Sequence, residues 1–214
     1  MVHDSLRHKG MRRKLVETVA GKGITDPLVL DAIGRVPRHL FMESSFVKFA
    51  YKDQAFPIGA GQTISQPYTV AFQTQLLNAP SNSKILEVGT GSGYQAAVLL
   101  EIGAQVFTIE RQRELYVKVQ QVLPKIGYHP RFFFGDGYKG LPTYGPFDGI
   151  VVTAGAPYIP DDLKQQLNVG ARLVIPVSKD EHQVMTVVER VSENKFDEKQ
   201  YGMFSFVPLL KGTS

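Results

Sequence analysis

Before position 80 the apolar residues return at helical intervals, whereas from Ile85 onward they gather in short runs separated by glycine, proline and charge. Leu6, Met11, Leu15, Val16 and Val19 stand among Arg and Lys, predicting an amphipathic helix over 7–20 that stops at Gly21 and Gly23. Asp26-Pro27 opens a second helix, with Asp26 as N-cap, Pro27 in the first position, and Leu28, Val29, Ala32 and Ile33 on its apolar side. A short third follows Pro37. Between Tyr51 and Pro67 the periodicity stops, and Gly59-Ala60-Gly61-Gln62-Thr63-Ile64-Ser65-Gln66 has the small, polar character of a loop that approaches something closely. Pro67 then starts a helix reaching Leu77.

The later runs predict strands at 85–88, 105–109, 131–134, 149–153 and 172–177. They alternate with helices at 94–102, at 113–123 and from Asp161 or Asp162 to Leu167. Near-continuous apolar strands alternating with helices mean a parallel sheet covered by helices on both faces. Two final runs, 183–191 and 202–209, are separated by the turn-like Ser192-Glu193-Asn194-Lys195 and no helix, so they are expected as an antiparallel pair at one side of the sheet.

Composition narrows the function classes. The 214 residues carry 24 Lys+Arg against 20 Asp+Glu and are 43% hydrophobic, which suits one globular domain. No run approaches the roughly 18 apolar residues of a membrane span. The first thirteen positions are polar and basic without an apolar segment behind them, so a soluble, unsecreted, cytoplasmic protein is expected. The absence of cysteine excludes disulfides, thiolate-bound zinc and thiol nucleophiles. A net charge of +4, scattered among acids, argues against a nucleic-acid groove. His3, His8, His39, His129 and His182 lack ligand spacing, and no metal is expected. Phe132-Phe133-Phe134 reads as the core of an internal strand, and Asp161-Asp162 as the ordinary response to a helix dipole.

The most informative stretch is Lys84-Ile-Leu-Glu87-Val-Gly89-Thr-Gly91-Ser-Gly93-Tyr94, a strand entering a glycine-rich turn and then a helix. Glycines there permit a tight turn and close approach of a ligand. The dinucleotide fingerprint fails, because its third glycine would have to stand at Tyr94. Glu87 would repel a pyrophosphate and attract an ammonium, so a cationic or zwitterionic ligand fits better. Glu110, ending the next strand about 20 residues past Gly89, has the spacing of a carboxylate that accepts from both hydroxyls of an adenosine ribose. Asp136 in Gly135-Asp136-Gly137, after the third strand, is placed to accept from an adenine amino group.

At these residues the chain resembles the class I S-adenosylmethionine-dependent methyltransferases, and specifically the protein-L-isoaspartate O-methyltransferase family. Further segments carry the likeness: Arg35-Val-Pro-Arg-His-Leu-Phe41, Pro57-Ile-Gly-Ala-Gly-Gln-Thr-Ile-Ser-Gln-Pro67, Arg172-Leu-Val-Ile-Pro-Val177 and Phe206-Val-Pro-Leu209. It implies a Rossmann-like, doubly wound, mostly parallel seven-stranded sheet with an antiparallel C-terminal strand pair and an N-terminal helical extension. One domain, 1–214, would comprise the extension and substrate loop (1–80) and the cofactor-binding α/β core (81–214). It also implies S-adenosyl-L-methionine as cofactor and S-adenosyl-L-homocysteine as product. The acceptor would be the α-carboxylate of L-isoaspartyl residues in damaged proteins and peptides, and the enzyme a cytoplasmic monomer.

By the same resemblance Ser65 is the catalytic residue, orienting the acceptor carboxylate. Gln62, Thr63, Ile64, Glu87, Gly89, Thr90, Gly91, Gly93, Glu110, Arg111, Asp136 and Gly137 are the cofactor contacts. The end of the 174–177 strand and Val207-Pro208-Leu209 are expected along a peptide groove. Two positions depart from the family pattern: Gly170-Ala171 replaces a double glycine, and Ser205 stands where a basic residue often precedes Phe-Val-Pro-Leu. A small-molecule O-methyltransferase with a closed acceptor pocket is the alternative.

Overall fold

The computed structural model describes residues 4–179 and 181–214; His3 lies outside them. Helix α1 (Leu6–Gly21) is capped by Ser5, which exchanges hydrogen bonds with His8. Helix α2 (Pro27–Arg35) begins where expected, the Asp26 carboxylate accepting from the Leu28 and Val29 N–H groups. Arg38–Phe41 forms a single 3-10 turn, and α3 spans Pro67–Leu77.

The stretch expected as a loop folds instead into an antiparallel hairpin, β1 (Phe56–Gly59) and β2 (Gln62–Ile64). Its turn holds Gly59, Ala60 and Gly61 at φ values of 96, 49 and 66°. Only Ile58 and Ile64 bury apolar side chains there, too few to announce a strand by alternation.

The rest of the chain follows as β3 (Lys84–Val88), α4 (Tyr94–Glu101), β4 (Gln105–Glu110), α5 (Arg113–Val122), β5 (Arg131–Phe134) and β6 (Phe147–Val152). Then come α6 (Asp161–Gln165), β7 (Leu167–Lys179), β8 (His182–Ser192) and β9 (Lys195–Phe204). The seven-stranded sheet runs β5-β4-β3-β6-β7-β8-β9. Pairing is parallel as far as β7, and β8 is antiparallel to both its neighbours.

Side chains alternate along the central strands. Ile85, Val106, Val151 and Val174 join a core with residues of α1 through α5, whereas Leu86, Phe107, Ile150 and Leu173 join a second core with Leu163 of α6 and Leu209. The second face therefore carries little helix, where helices were expected on both faces, and is covered largely by irregular chain. Among the described residues no helix is long and apolar enough to cross a membrane.

Three expectations need correction. The last strand is 195–204 rather than 202–209: β9 is an edge, and its charged residues Lys195, Asp197, Glu198 and Lys199 mask a strand that edges tolerate. Segment 206–209 leaves the sheet and is pinned by Gly155, whose N–H donates to the Val207 carbonyl (2.8 Å) and whose carbonyl accepts from Leu209 (2.7 Å). Second, β5 is an edge strand, so Phe134 is 36% exposed, packing on Tyr116 with Arg113 over its ring. Third, β7 begins at Leu167; Gly170 takes a positive φ where the β6–β7 register shifts, and Ala171 packs its methyl into the second core.

Candidate active site

Strand order reverses at β3, whose neighbours are β4 on one side and β6 on the other, and open α/β sheets bind ligands outside the carboxyl ends of strands at such a point. A cavity lies there, walled by β2, the turn between β3 and α4, the ends of β4 and β6, and Val207–Leu210.

The turn's glycines do different work. At Gly89 (φ 96°) a β-carbon would collide with the Thr153 hydroxyl, which donates to the Gly89 carbonyl at 2.6 Å. At Gly93 (φ 81°) it would come within 2.5 Å of Leu123, beneath α5. The Gly91 N–H donates to Glu110 Oε2 (2.9 Å) and the Gln112 N–H to Glu110 Oε1 (2.8 Å), so the ribose-spaced carboxylate is fixed by backbone before any ligand arrives.

Glu87 is fully buried beside its parallel neighbour Thr108, whose hydroxyl donates to Oε2 at 2.5 Å and meets Thr90 Oγ1 at 2.6 Å. Burial, with the nearby Glu110 carboxylate adding to it, pushes the Glu87 carboxyl up to about 8 against the opposing Thr108 hydrogen bond. Glu87 Oε1 and Gln95 Oε1, both on cavity-lining residues, are buried without a hydrogen-bond partner among the described residues. Two idle acceptors in a cleft suit an ammonium donor.

Of the residues singled out from sequence, Gln62, Thr63, Ser65, Glu87, Gly89, Thr90, Gly91, Glu110 and Arg111 come together around this cavity. Ile64, Gly93, Asp136 and Gly137 stand outside its lining. The Ile64 side chain alternates into the core. The Asp136 carboxylate follows β5 and accepts from the Tyr138 and Gly212 N–H groups, each at 2.9 Å. Gly137 is pressed against Val88. Sequence reasoning missed Gln95, Gln112 and Thr153, polar lining residues that belong to no short pattern. The cavity holds about 70 Å³. Drug-sized ligands need roughly 300 Å³ or more, and Gln62, Thr63, Ser65 and Val207–Leu210 are among the walls of this narrow cavity.

A wider groove of about 820 Å³ adjoins it, lined by Lys22, Gln66, Tyr68, His182, Met203, Phe204, Ser205 and Phe206. The two share Thr63, Ser65, Thr153 and Val207. The 174–177 strand end is absent from the groove lining, because Val174 and Ile175 are wholly buried in the two cores. Pro208 and Leu209 line the first cavity instead.

Away from both, Asp4, His8 and His39 bring ligand-type atoms within 4.8 Å of one another, a proximity that sequence spacing did not reveal. The Asp4 carboxylate is held there by Arg12 at 2.9 Å through both oxygens, and that guanidinium opposes a second cation.

A glycine turn after the first sheet strand, a backbone-fixed carboxylate ending the second, two unpartnered acceptors in the cleft and an open groove beside it match the layout expected of an S-adenosylmethionine-dependent methyltransferase. The family model described as Protein-L-isoaspartate(D-aspartate) O-methyltransferase matches residues 10–214, and the chain belongs to that family. It is 61% identical over 209 residues to the protein-L-isoaspartate O-methyltransferase of Christiangramia forsetii, covering 97% of this chain and 98% of that one. It is 42% identical over 207 residues to that of Dictyoglomus thermophilum, covering 96% and 94%. Among solved structures, a Plasmodium falciparum protein titled a putative protein-L-isoaspartate O-methyltransferase in complex with S-adenosyl-L-homocysteine superposes with a TM-score of 0.80 at 25% identity, covering 96% of this chain and 99% of that one.

Proposed function

We propose that the chain transfers a methyl group from S-adenosylmethionine to the free α-carboxylate of L-isoaspartyl residues in damaged proteins and peptides, with Ser65 orienting the acceptor. One observation carries the assignment of Ser65: the cofactor cleft and the open groove meet at this serine, together with Thr63, Thr153 and Val207.

The cofactor fits the residues present. Glu110 is fixed to accept from ribose hydroxyls, and Glu87 and Gln95 offer acceptors to the ammonium, whereas Asp136, expected at the adenine edge, lies outside the cavity lining with both oxygens taken by the Tyr138 and Gly212 N–H groups. Thr90 and Gly91 of the turn, Arg111 beside Glu110, and Gln62 and Thr63 of the hairpin complete its walls. When bound, the cofactor supplies a methyl already activated on a cationic sulfur.

The chain's own groups then have little acid–base work to do. A peptide carboxylate with a pKa near about 4 is already the anionic nucleophile at neutral pH, so no general base is needed. Ser65 donates its hydroxyl hydrogen to one carboxylate oxygen and leaves the other facing the methyl. Gln62, Thr63, Ser65 and Val207–Leu210, walling the cleft, exclude the water that would solvate the anion. Alignment of this kind is worth roughly 7 to 11 kcal/mol in intramolecular reactions. The ester then loses methanol to attack by the neighbouring amide nitrogen, giving the succinimide, a step that asks nothing further of the protein.

The open groove of about 820 Å³ beside Ser65 favours a peptide over a small acceptor held in a closed pocket. The scattered charge supports a protein rather than a nucleic-acid partner. Ageing proteins of the cytoplasm are the substrates this reading gives it. The test is incubation with labelled S-adenosylmethionine and matched peptides holding either an aspartyl or an L-isoaspartyl linkage. Base-labile label on the isoaspartyl peptide alone is expected, and label on neither peptide would overturn the reading.

A further inference from the structure

The acceptor serine sits on backbone that is held from behind by a buried cation. Arg38, in the 3-10 turn after α2, is 0% exposed. Its Nη1 donates to the Ser65 carbonyl at 2.8 Å and its Nη2 to the Gln54 carbonyl at 3.1 Å. The guanidinium lies over the ring of Tyr94, the first residue of α4 and part of the cofactor cavity wall, 4.7 Å from its centroid. It forms no ion pair among the described residues. The only carboxylate that favours this charge is that of Asp53, too far for an ion pair; burying the charge without a carboxylate in contact is costly, and a sequence that needed only packing here would use an apolar residue of similar volume. A planar fork that spans two carbonyls while stacking on a ring is what arginine supplies and lysine does not.

We propose that Arg38 is a positioning residue of the methyl transfer: by gripping the Ser65 carbonyl while resting on Tyr94, it fixes the acceptor serine relative to the cofactor turn. This rests on the Ser65 reading above. Its charge persists at neutral pH although burial lowers the guanidinium from its ordinary value to about 10. The grip acts on the main chain, so a substitution of the Ser65 side chain leaves it in place and reveals it only in combination with a change at Arg38.

The test is a double-mutant cycle of Arg38→Lys and Ser65→Ala, reading kcat on an isoaspartyl peptide and the dissociation constant of S-adenosylhomocysteine. Arg38→Lys is expected to lower kcat between about tenfold and a hundredfold, as a misplacement of about 1 Å does, while the dissociation constant changes by less than about threefold. In the Ser65→Ala background the same change should cost little more, since the group being positioned is gone. Full additivity, or equal loss of kcat and cofactor affinity, would overturn the role of Arg38 even with Ser65 upheld. Unchanged kcat in Ser65→Ala alone would instead remove the Ser65 reading. Should Arg38→Lys fail to fold, nitrogen-15 NMR of the intact protein decides: separately resolved, exchange-protected Arg38 Nη protons are expected, and a freely rotating guanidinium would overturn the proposal.

Discussion

The cofactor cleft is walled largely by main chain and short buried polar groups: the glycine turn, Glu110 tied to two backbone N–H groups, and Glu87 locked to Thr108. The acceptor groove that joins it at Ser65 is walled by side chains, with Tyr68, Phe204 and Phe206 along its length and Lys22 and His182 among its few charged or titratable groups. One region is narrow and tied by buried hydrogen bonds, the other wide and lined by side chains. A cleft for one unvarying ligand can invest in fixed hydrogen bonds, whereas a groove that must take many peptide sequences does better with stacking surface and room.

The contrast breaks most visibly if the rigid side is disturbed. Gly93→Ala combines an unfavourable positive φ with a methyl driven against Leu123 and Val119, so a loss of about 3 kcal/mol in unfolding free energy is expected, read by denaturant titration. Stability within error of the parent would show that α5 yields where the turn is said to be fixed.

A smaller effect sharpens the electrostatics. Because the Glu87 carboxyl is raised from 4.5 to about 8 on folding, the folded state holds a proton that the unfolded chain has released. This group's contribution to stability is complete below about 4.5, falls as pH rises, and is lost above about 8. Glu87→Gln should flatten that slope in thermal melts. Binding a cationic ligand favours the anion, so calorimetry of S-adenosylmethionine at pH 7 in buffers of different ionisation enthalpy should show proton release that Glu87→Gln abolishes. Equal proton release by the variant would assign it elsewhere.

The smallest effect belongs to the groove. Lys22 pairs with Asp53 at 2.6 Å and lies over Tyr68, and Ser205 also lines the groove, where Lys22 is the one Lys or Arg among the described lining residues. Ser205→Arg should lower KM for peptides with acidic flanks by up to about fivefold at low salt, the scale of one exposed ion pair, and leave S-adenosylhomocysteine affinity alone. A shift in both would mean that cleft and groove are not separable.

Sequence reading reached the rigid region more fully than the open one, for a physical reason. Glycines, N-caps and strand-ending carboxylates act through local backbone geometry, so Asp26-Pro27, the three glycines and Glu110 were legible from spacing alone. The hairpin at Phe56–Ile64 was not, because its turn rests on Gly59, Ala60 and Gly61 and its strands bury only two apolar residues. Strand β9 hid behind the charges of an edge. Ser65 took its role from family resemblance, and Arg38 could be read only once folding had set it against a carbonyl 27 positions away.

Gln75 of α3 carries a last consequence. Its side-chain oxygen accepts from the Thr25 and Asp26 N–H groups at 2.8 and 2.9 Å, so the peptide units that lead into α2 find their partner fifty and forty-nine residues downstream. Trimming the chain to a minimal catalytic module by removing its leading helices would strip α3 of that anchor. Grafting residues 81–214 onto another scaffold would therefore leave behind Gln62, Thr63 and Ser65, which wall the same cavity as the glycine turn.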